Sequence, residues 1–362
     1  MQVTKRIEFI DAMRGFAMLL VVFSHIAYFG YPASFHSVLP VGVGAIGGGK
    51  AFSFNDLFVM FRMPLFFFIS GFILYKKDYT WDRHNSWSFF LKKAKVQLIP
   101  TVFFLLVYTY IMDGSFLEAL FHPAKWGYWF TISLFEYFVI YILYRMLCNL
   151  IHKRDGADVL LLVMALLLHF LSTYTGLRFL HMLDTPVCDL LGLTQLGYFL
   201  FFAIGTLIKK HYDKVQSLLD NGSAMALVIL LFFGLSIYVL HQGTFSNKVY
   251  EHALRLLIGF FGCVLVFSFF RRYESSFAND TKIGRMLQYI GRRTLDVYLL
   301  HYFFLPRNLH DIGIFFYDNP NPTLELVVSM ALALVVVAVS LLLSNIIRVS
   351  PIMAHWLFGA KK

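Results

Sequence analysis

The sequence predicts an all-α protein: a polytopic bundle of about ten transmembrane helices with both termini in the cytoplasm, on three observations. Hydrophobic residues make up 59% of the 362 and charged residues only 14%, with a mean hydropathy of +0.67, far from soluble composition. Apolar stretches of about 20 residues, enough to cross a bilayer as helix, recur along the chain. Basic residues crowd alternate connections between them.

Taken in order, the spans begin near Phe9, Phe52, Phe89, Trp129, Val159, Leu190, Ala224, His252, Leu287 and Leu324. An even number puts both termini on one side. Of the 31 Lys and Arg, 22 fall on that side, in Lys5 to Arg6, Lys76 to Lys95, Lys153 to Arg154, Lys209 to Lys214, Arg271 to Arg293 and Arg348 to Lys362. Only Lys50, Lys125, Arg178, Lys248 and Arg307 lie across the membrane, so the basic side is the cytoplasm. Arg14, Arg62, Arg145 and Arg255 fall within spans.

No stretch between spans is long enough to fold with its own core, which predicts a single transmembrane domain over 1–362 with no appended soluble domain. The first apolar segment lacks a small-residue cleavage site and is too long and polar for a signal-peptide core, so it is expected to stay. A net charge of +10 would suit nucleic acid, but the basic residues are interleaved with apolar spans, and topology explains them. Cys148, Cys188 and Cys263 lack the spacing of a metal site or disulfide framework and are read as small core residues, with no metal expected.

The first span, Phe9 to Gly30, carries Asp11, Arg14 and His25. Ionisable groups at membrane depth are costly, so they are expected to face a protein interior or watery cavity and are site candidates. At about 100° per residue, the eleven-residue step from Arg14 to His25 closes three turns and puts both on one helix face, about 16 Å apart along the axis. Asp11 lies one turn below Arg14. His25 near the midplane is either a general base or a structural imidazole bonded to a neighbouring helix.

The loop Gly44 to Lys50, GAIGGGK, has the skeleton of a phosphate-binding loop, but Ala51 stands where Ser or Thr is needed, and it is read as a flexible glycine loop. In the second span Arg62 shares a face with Asn55, while Pro64 frees a backbone carbonyl. It either lines an outward cavity or pairs with Asp56 or Glu136. Lys92, Lys93 and Lys95 end the next inner loop before Pro100, setting topology, touching anionic lipid or forming a phosphate-binding rim.

Trp126, Tyr128 and Trp129 open span four, either as a headgroup belt or as platforms for sugar rings. His169 is read as a hydrogen-bonded core histidine. Span nine carries Arg292 and Arg293 at the inner surface, and Gly291, Thr294, Tyr298 and His301 fall on one polar seam that a bundle would turn inward. Asp296 lies off that seam and is expected to pair with Arg292 or Arg293.

With these residues in hand the chain resembles the acyltransferase-3 family of integral membrane acyltransferases. The likeness rests on the Arg-ten residues-His motif at Arg14 and His25, on MPLFFFISGF at Met63 to Phe72, on Trp129 and Phe130, and on GRRTLDVYLLH at Gly291 to His301. One departure is that the family commonly carries arginines before the proline of span three, where this chain has Lys92, Lys93, Lys95 and Gln97, and lysine lacks arginine's bidentate fork.

The resemblance implies transfer of an acyl group, usually acetyl, from cytoplasmic acyl-coenzyme A to a hydroxyl of an extracytoplasmic or lipid-linked glycan. It places the protein in a plasma membrane, most often the bacterial inner membrane, among membrane lipids, and leaves self-association into a homo-oligomer open. His25, Arg14 and His301 are the expected catalytic residues, with His25 as base and His301 the alternative. Arg14, Lys92, Lys93 and Arg292 are expected at the coenzyme, and Arg62, Trp129 and Tyr298 at the acceptor. A proton-coupled secondary transporter and a non-catalytic glycan-export partner are the competing classes.

Overall fold

The computed structural model describes residues 7–30, 53–150, 156–175, 189–242, 245–307, 309–319 and 321–360. The glycine loop at Gly44 to Lys50, Cys188, and the basic pairs Lys5–Arg6, Lys153–Arg154 and Lys361–Lys362 lie outside them, as does Arg178. Among the described residues all regular structure is helical: α1 Glu8–His25, α2 Phe54–Val59, α3 Arg62–Leu74, α4 Arg83–Ile111, α5 Phe116–Phe121, α6 Trp129–Leu150, α7 Ala157–Thr175 and α8 Phe199–Lys210. There follow α9 Tyr212–Asp220, α10 Gly222–Gln242, α11 Lys248–Arg272, α12 Lys282–Arg292, α13 Thr294–Leu300, α14 His310–Asp318, α15 Pro322–Ile347 and α16 Pro351–Phe358.

Seven helical stretches among the described residues are long and apolar enough to cross a membrane, at Glu8–Tyr28, Phe54–Leu74, Arg83–Ile111, Trp129–Asn149, Gly222–Gln242, Lys248–Arg272 and Pro322–Ile347. Ala157–Ser172 is a shorter apolar helix. The sixth and ninth spans read from sequence are broken instead. A 3-10 turn, Leu193–Tyr198, precedes the twelve-residue α8, and Arg293 (φ −117°, ψ 22°) separates α12 from α13. The second span is also interrupted, at Met60 and Phe61, so that Pro64 falls in the first turn of α3, where its missing N–H costs little.

The chain forms two compact units, Met1–Phe66 with Tyr212–Leu343, and Phe67–His211 with Ser344–Lys362. In the first, α1 is enclosed along most of its length, and its closest crossing is with α12. A Cβ on Gly15 would lie 2.0 Å from the Leu287 carbonyl oxygen, and one on Gly291 would lie 1.8 Å from that of Asp11. Only glycine lets these backbones approach so closely, the small-residue device of membrane helix packing.

The second unit repeats that device where α3 meets α8: Cβ atoms on Gly71 and Gly205 would lie 1.9 and 2.1 Å from the carbonyl oxygens of Phe202 and Phe68. Here α4 runs unbroken through Pro100, so Lys92, Lys93 and Lys95 stand on a helix, not at the end of a loop. Lys93 Nζ sits 4.0 Å from the Phe138 ring centroid, and Lys95 Nζ sits 4.1 Å from that of Trp356 and 2.9 Å from His355 Nε2. Their ammoniums rest on aromatic faces, a cation–π arrangement.

Of the expected aromatic belt, Tyr128 is fully buried, which corrects its reading as a headgroup residue. It follows a turn in which Lys125 and Trp126 both take the left-handed conformation, at φ 49° and 50°. The Lys125 ammonium is buried and donates to the backbone carbonyls of Asp189 and, at 3.3 Å, His122. Burial lowers its pKa from the usual lysine value, against the opposing pull of Glu136 and Asp189. His169 is hydrogen-bonded as expected, its Nδ1 lying 2.9 Å from the Gly197 carbonyl.

Candidate active site

The site candidates of the first unit converge on α1. Its residues Asp11, Arg14 and His25 lie along one stripe, and the broken ninth span presents Gly291, Thr294 and His301 to that stripe. At the lower end, Arg14 Nη2 donates to Thr294 Oγ1 at 2.8 Å, while Nη1 lies 3.5 Å from Asp11 Oδ1. Arg14 is held between these two partners with 31% of its side chain still exposed. The Gly15–Gly291 crossing is what brings Thr294 within reach.

Three turns on, α1 passes into a π-helical turn, Ile26–Gly30, immediately after His25. Such turns occur often at functional sites. His25 Nδ1 lies 2.8 Å from His301 Nε2, with ring centroids 5.1 Å apart and planes within 5°. Those three values together require the rings to lie edge to edge in one plane, as for a straight N–H···N hydrogen bond. The Tyr302 ring flanks both, 4.0 Å from the His301 centroid and 5.2 Å from that of His25.

The backbone assigns the protons. His301 is completely buried, and its Nδ1 faces two acceptors, the carbonyls of Val297 at 3.0 Å and Tyr298 at 2.8 Å. A carbonyl cannot donate, so Nδ1 carries the hydrogen. In the neutral pair His301 Nε2 then holds a lone pair, His25 Nδ1–H donates to it, and the lone pair of His25 is left on Nε2. His25 keeps partial exposure, whereas His301 has none. Chemically, this arrangement is a partly exposed imidazole backed by a buried one.

Arg62 is half-buried and within electrostatic reach of His25. Tyr298 is buried and serves His301 through its carbonyl. Arg292 is exposed at the end of α12, and Asp296 is buried. Lys92, Lys93 and Trp129 belong to the other unit, where the half-buried Trp129 stacks on Tyr198 with centroids 5.9 Å apart.

Sequence reasoning missed Tyr302 and the two carbonyls, which no side-chain pattern announces. It also missed Glu325, buried on α15 and hydrogen-bonded to Ser53 ahead of α2, with Asp56 within electrostatic reach. That signal was readable, since a lone carboxylate in an apolar span is unusual.

Among the described residues the chain is helical, with seven stretches long and apolar enough to cross a membrane and with Arg14 and His25 on one stripe of the first. Residues 7–345 match the family described as "Acyltransferase domain", and the chain is a member of the acyltransferase-3 family. No curated protein and no solved structure matches it.

Proposed function

We propose that the protein transfers an acyl group, acetyl in the first instance, from cytoplasmic acyl-coenzyme A to a hydroxyl of an extracytoplasmic or lipid-linked glycan, with His25 as general base. The observation that carries this reading is the chain of hydrogen bonds from the Val297 and Tyr298 carbonyls through His301 to His25, which puts the His25 lone pair on Nε2. A neutral imidazole with an unprotonated nitrogen suits removal of a hydroxyl proton.

In this mechanism the acceptor O–H gives its proton to His25 Nε2 as its oxygen attacks the thioester carbonyl. The C–S bond breaks, and the coenzyme thiolate takes the proton back from His25 to leave as thiol. His301 supports the transient imidazolium through its Nε2 lone pair. Arg14, fixed by Asp11 and Thr294, faces the donor, with Arg292 as a further cation. Arg62 and Tyr298 serve the acceptor. The setting is a bacterial inner membrane, with the acceptor arriving in or at the bilayer.

The direct test is transfer from radiolabelled acetyl-coenzyme A by purified protein in nanodiscs, with mass spectrometry of surface glycans from cells with and without it. Absence of both transfer and any glycan difference would overturn the reading. Interrupted spans also build midplane sites in secondary transporters. Counterflow of an anionic solute in proteoliposomes without acyl transfer is the result that would favour that class.

A further inference from the structure

Away from α1, the second unit holds a cavity of about 490 Å³ between the α3–α4 connection and the ends of α6 and α8. Its cations are Lys76, Lys77, Arg145 and Lys210, against two lining carboxylates, Asp78 and Asp82. The volume lies within the usual range for small-molecule sites. It plays no part in the mechanism above.

Asp82 and Lys210 are already engaged. Asp82 is committed to capping α4, accepting from Asn85 N at 2.8 Å and Asn85 Nδ2 at 2.7 Å. Asp158, the neighbouring carboxylate, is held by Lys210 at 2.6 Å and His211 at 2.7 Å. Arg145 is left with a buried Nε that has no hydrogen-bond acceptor. Among the described residues Arg145 lines the cavity without a carboxylate partner, and an anion in the cavity would supply one.

The walls are also built rather than loose. Asn149 Nδ2 donates to the Trp81 carbonyl at 2.8 Å, and the Tyr79 hydroxyl donates to the Asn85 carbonyl at 3.1 Å. Trp81 is buried edge-on against Tyr79 and Tyr141. The connection from Lys76 to Asp82 is therefore tied down from both ends.

We infer that this cavity binds a phosphate ester, gripped by Arg145 and the Lys76–Lys77 pair. Arginine's fork matches phosphate oxygens, and the flanking lysines add point charges. Two sources carry that chemistry at a membrane surface: a soluble nucleotide and an anionic phospholipid headgroup.

The experiment uses full-length protein in phosphatidylcholine nanodiscs, with adenosine 3′,5′-bisphosphate as the soluble probe. A second arm measures retention of phosphatidylglycerol from mixed-lipid nanodiscs by native mass spectrometry. One of the two ligands is expected to bind, to weaken at least tenfold in Arg145→Gln, and to weaken less in Lys77→Ala, whose exposed side chain can be removed without disturbing packing. Bisphosphate binding assigns the nucleotide source, and phosphatidylglycerol retention assigns the lipid. Binding of neither, or binding that both substitutions leave unchanged, overturns the site. Acyl transfer is not the readout, so this outcome is separable from the fate of the His25 mechanism.

Discussion

Replacing His301 isolates the role of tautomer and orientation from that of the base itself. In His301→Ala, His25 loses its 2.8 Å partner and with it the carbonyl-anchored reason to keep the lone pair on Nε2. A hydrogen bond to a charged group is worth about 1.5–3 kcal/mol, and the imidazolium formed during transfer is such a group. At about 1.4 kcal/mol per tenfold in rate, single-turnover transfer should fall roughly 10- to 150-fold. Removing the base in His25→Ala should cost about 10²- to 10⁴-fold. Because His301 acts through His25, the double variant should be no slower than His25→Ala alone, a non-additivity expected of residues that work as a unit. Histidine ¹⁵N spectra should show an unprotonated Nε2 on His25 in the wild type and a tautomer mixture in His301→Ala. If the two losses multiply in the double variant, His301 has its own contact with the reaction, and the relay described here is wrong.

Thr294→Val removes the 2.8 Å acceptor of Arg14 and should raise the KM for acyl-coenzyme A about three- to tenfold with kcat little changed, since one hydrogen bond is worth about 1 kcal/mol. Gly291→Ala puts a methyl 1.8 Å from the Asp11 carbonyl and should cost on the order of 1–3 kcal/mol or more, lowering the unfolding temperature. Gly234→Ala, with open space around it on α10, should be neutral or stabilising by up to about 1 kcal/mol; a stable Gly291→Ala with full activity would refute the tight crossing. For Lys125 the folded-state pKa is lowered, so the penalty of its buried charge is present below that pKa and is relieved as pH rises to the unfolded value near 10.5. The stability of wild type relative to Lys125→Met should therefore rise as pH approaches 10.5 from below, and a flat difference in thermal unfolding would contradict the burial.

What could be read without coordinates follows from what one-dimensional periodicity encodes. The Arg14–His25 stripe and the seam of Gly291, Thr294 and His301 were each visible as helical spacings, and the structure sets one against the other. The breaks at Met60 and Arg293 were not visible, because apolar composition looks alike on either side of an interruption and neither residue is a proline or glycine. The lysines before Pro100 were misplaced for a related reason. A proline suggests a boundary, yet α4 tolerates Pro100 inside and begins at Asp82, whose side chain caps it. Hydrogen bonds to backbone carbonyls, such as those of His301, leave no trace in residue identity at all.

The buried imidazole also answers a problem particular to this setting. A soluble hydrolase orients its histidine with a carboxylate, which both fixes the tautomer and balances the developing charge. Placing a carboxylate beside His25 would bury an ion at membrane depth, with a desolvation cost of several kcal/mol that attraction must then repay. His301 achieves the tautomer control as a neutral group, because Val297 and Tyr298 offer carbonyls to its Nδ1 just where α13 gives way to the 3-10 turn His301–Phe303. The Val297 carbonyl accepts the backbone N–H of His301 at the end of α13 as well as its ring N–H, using both lone pairs. The end of α13 and the orientation of His25 are then linked: the residue that closes the helix also carries the imidazole whose proton these carbonyls fix. On this account a substitution that displaces the end of α13 should disable transfer even with both histidines in place, and retention of full single-turnover rate in such a variant would separate the two.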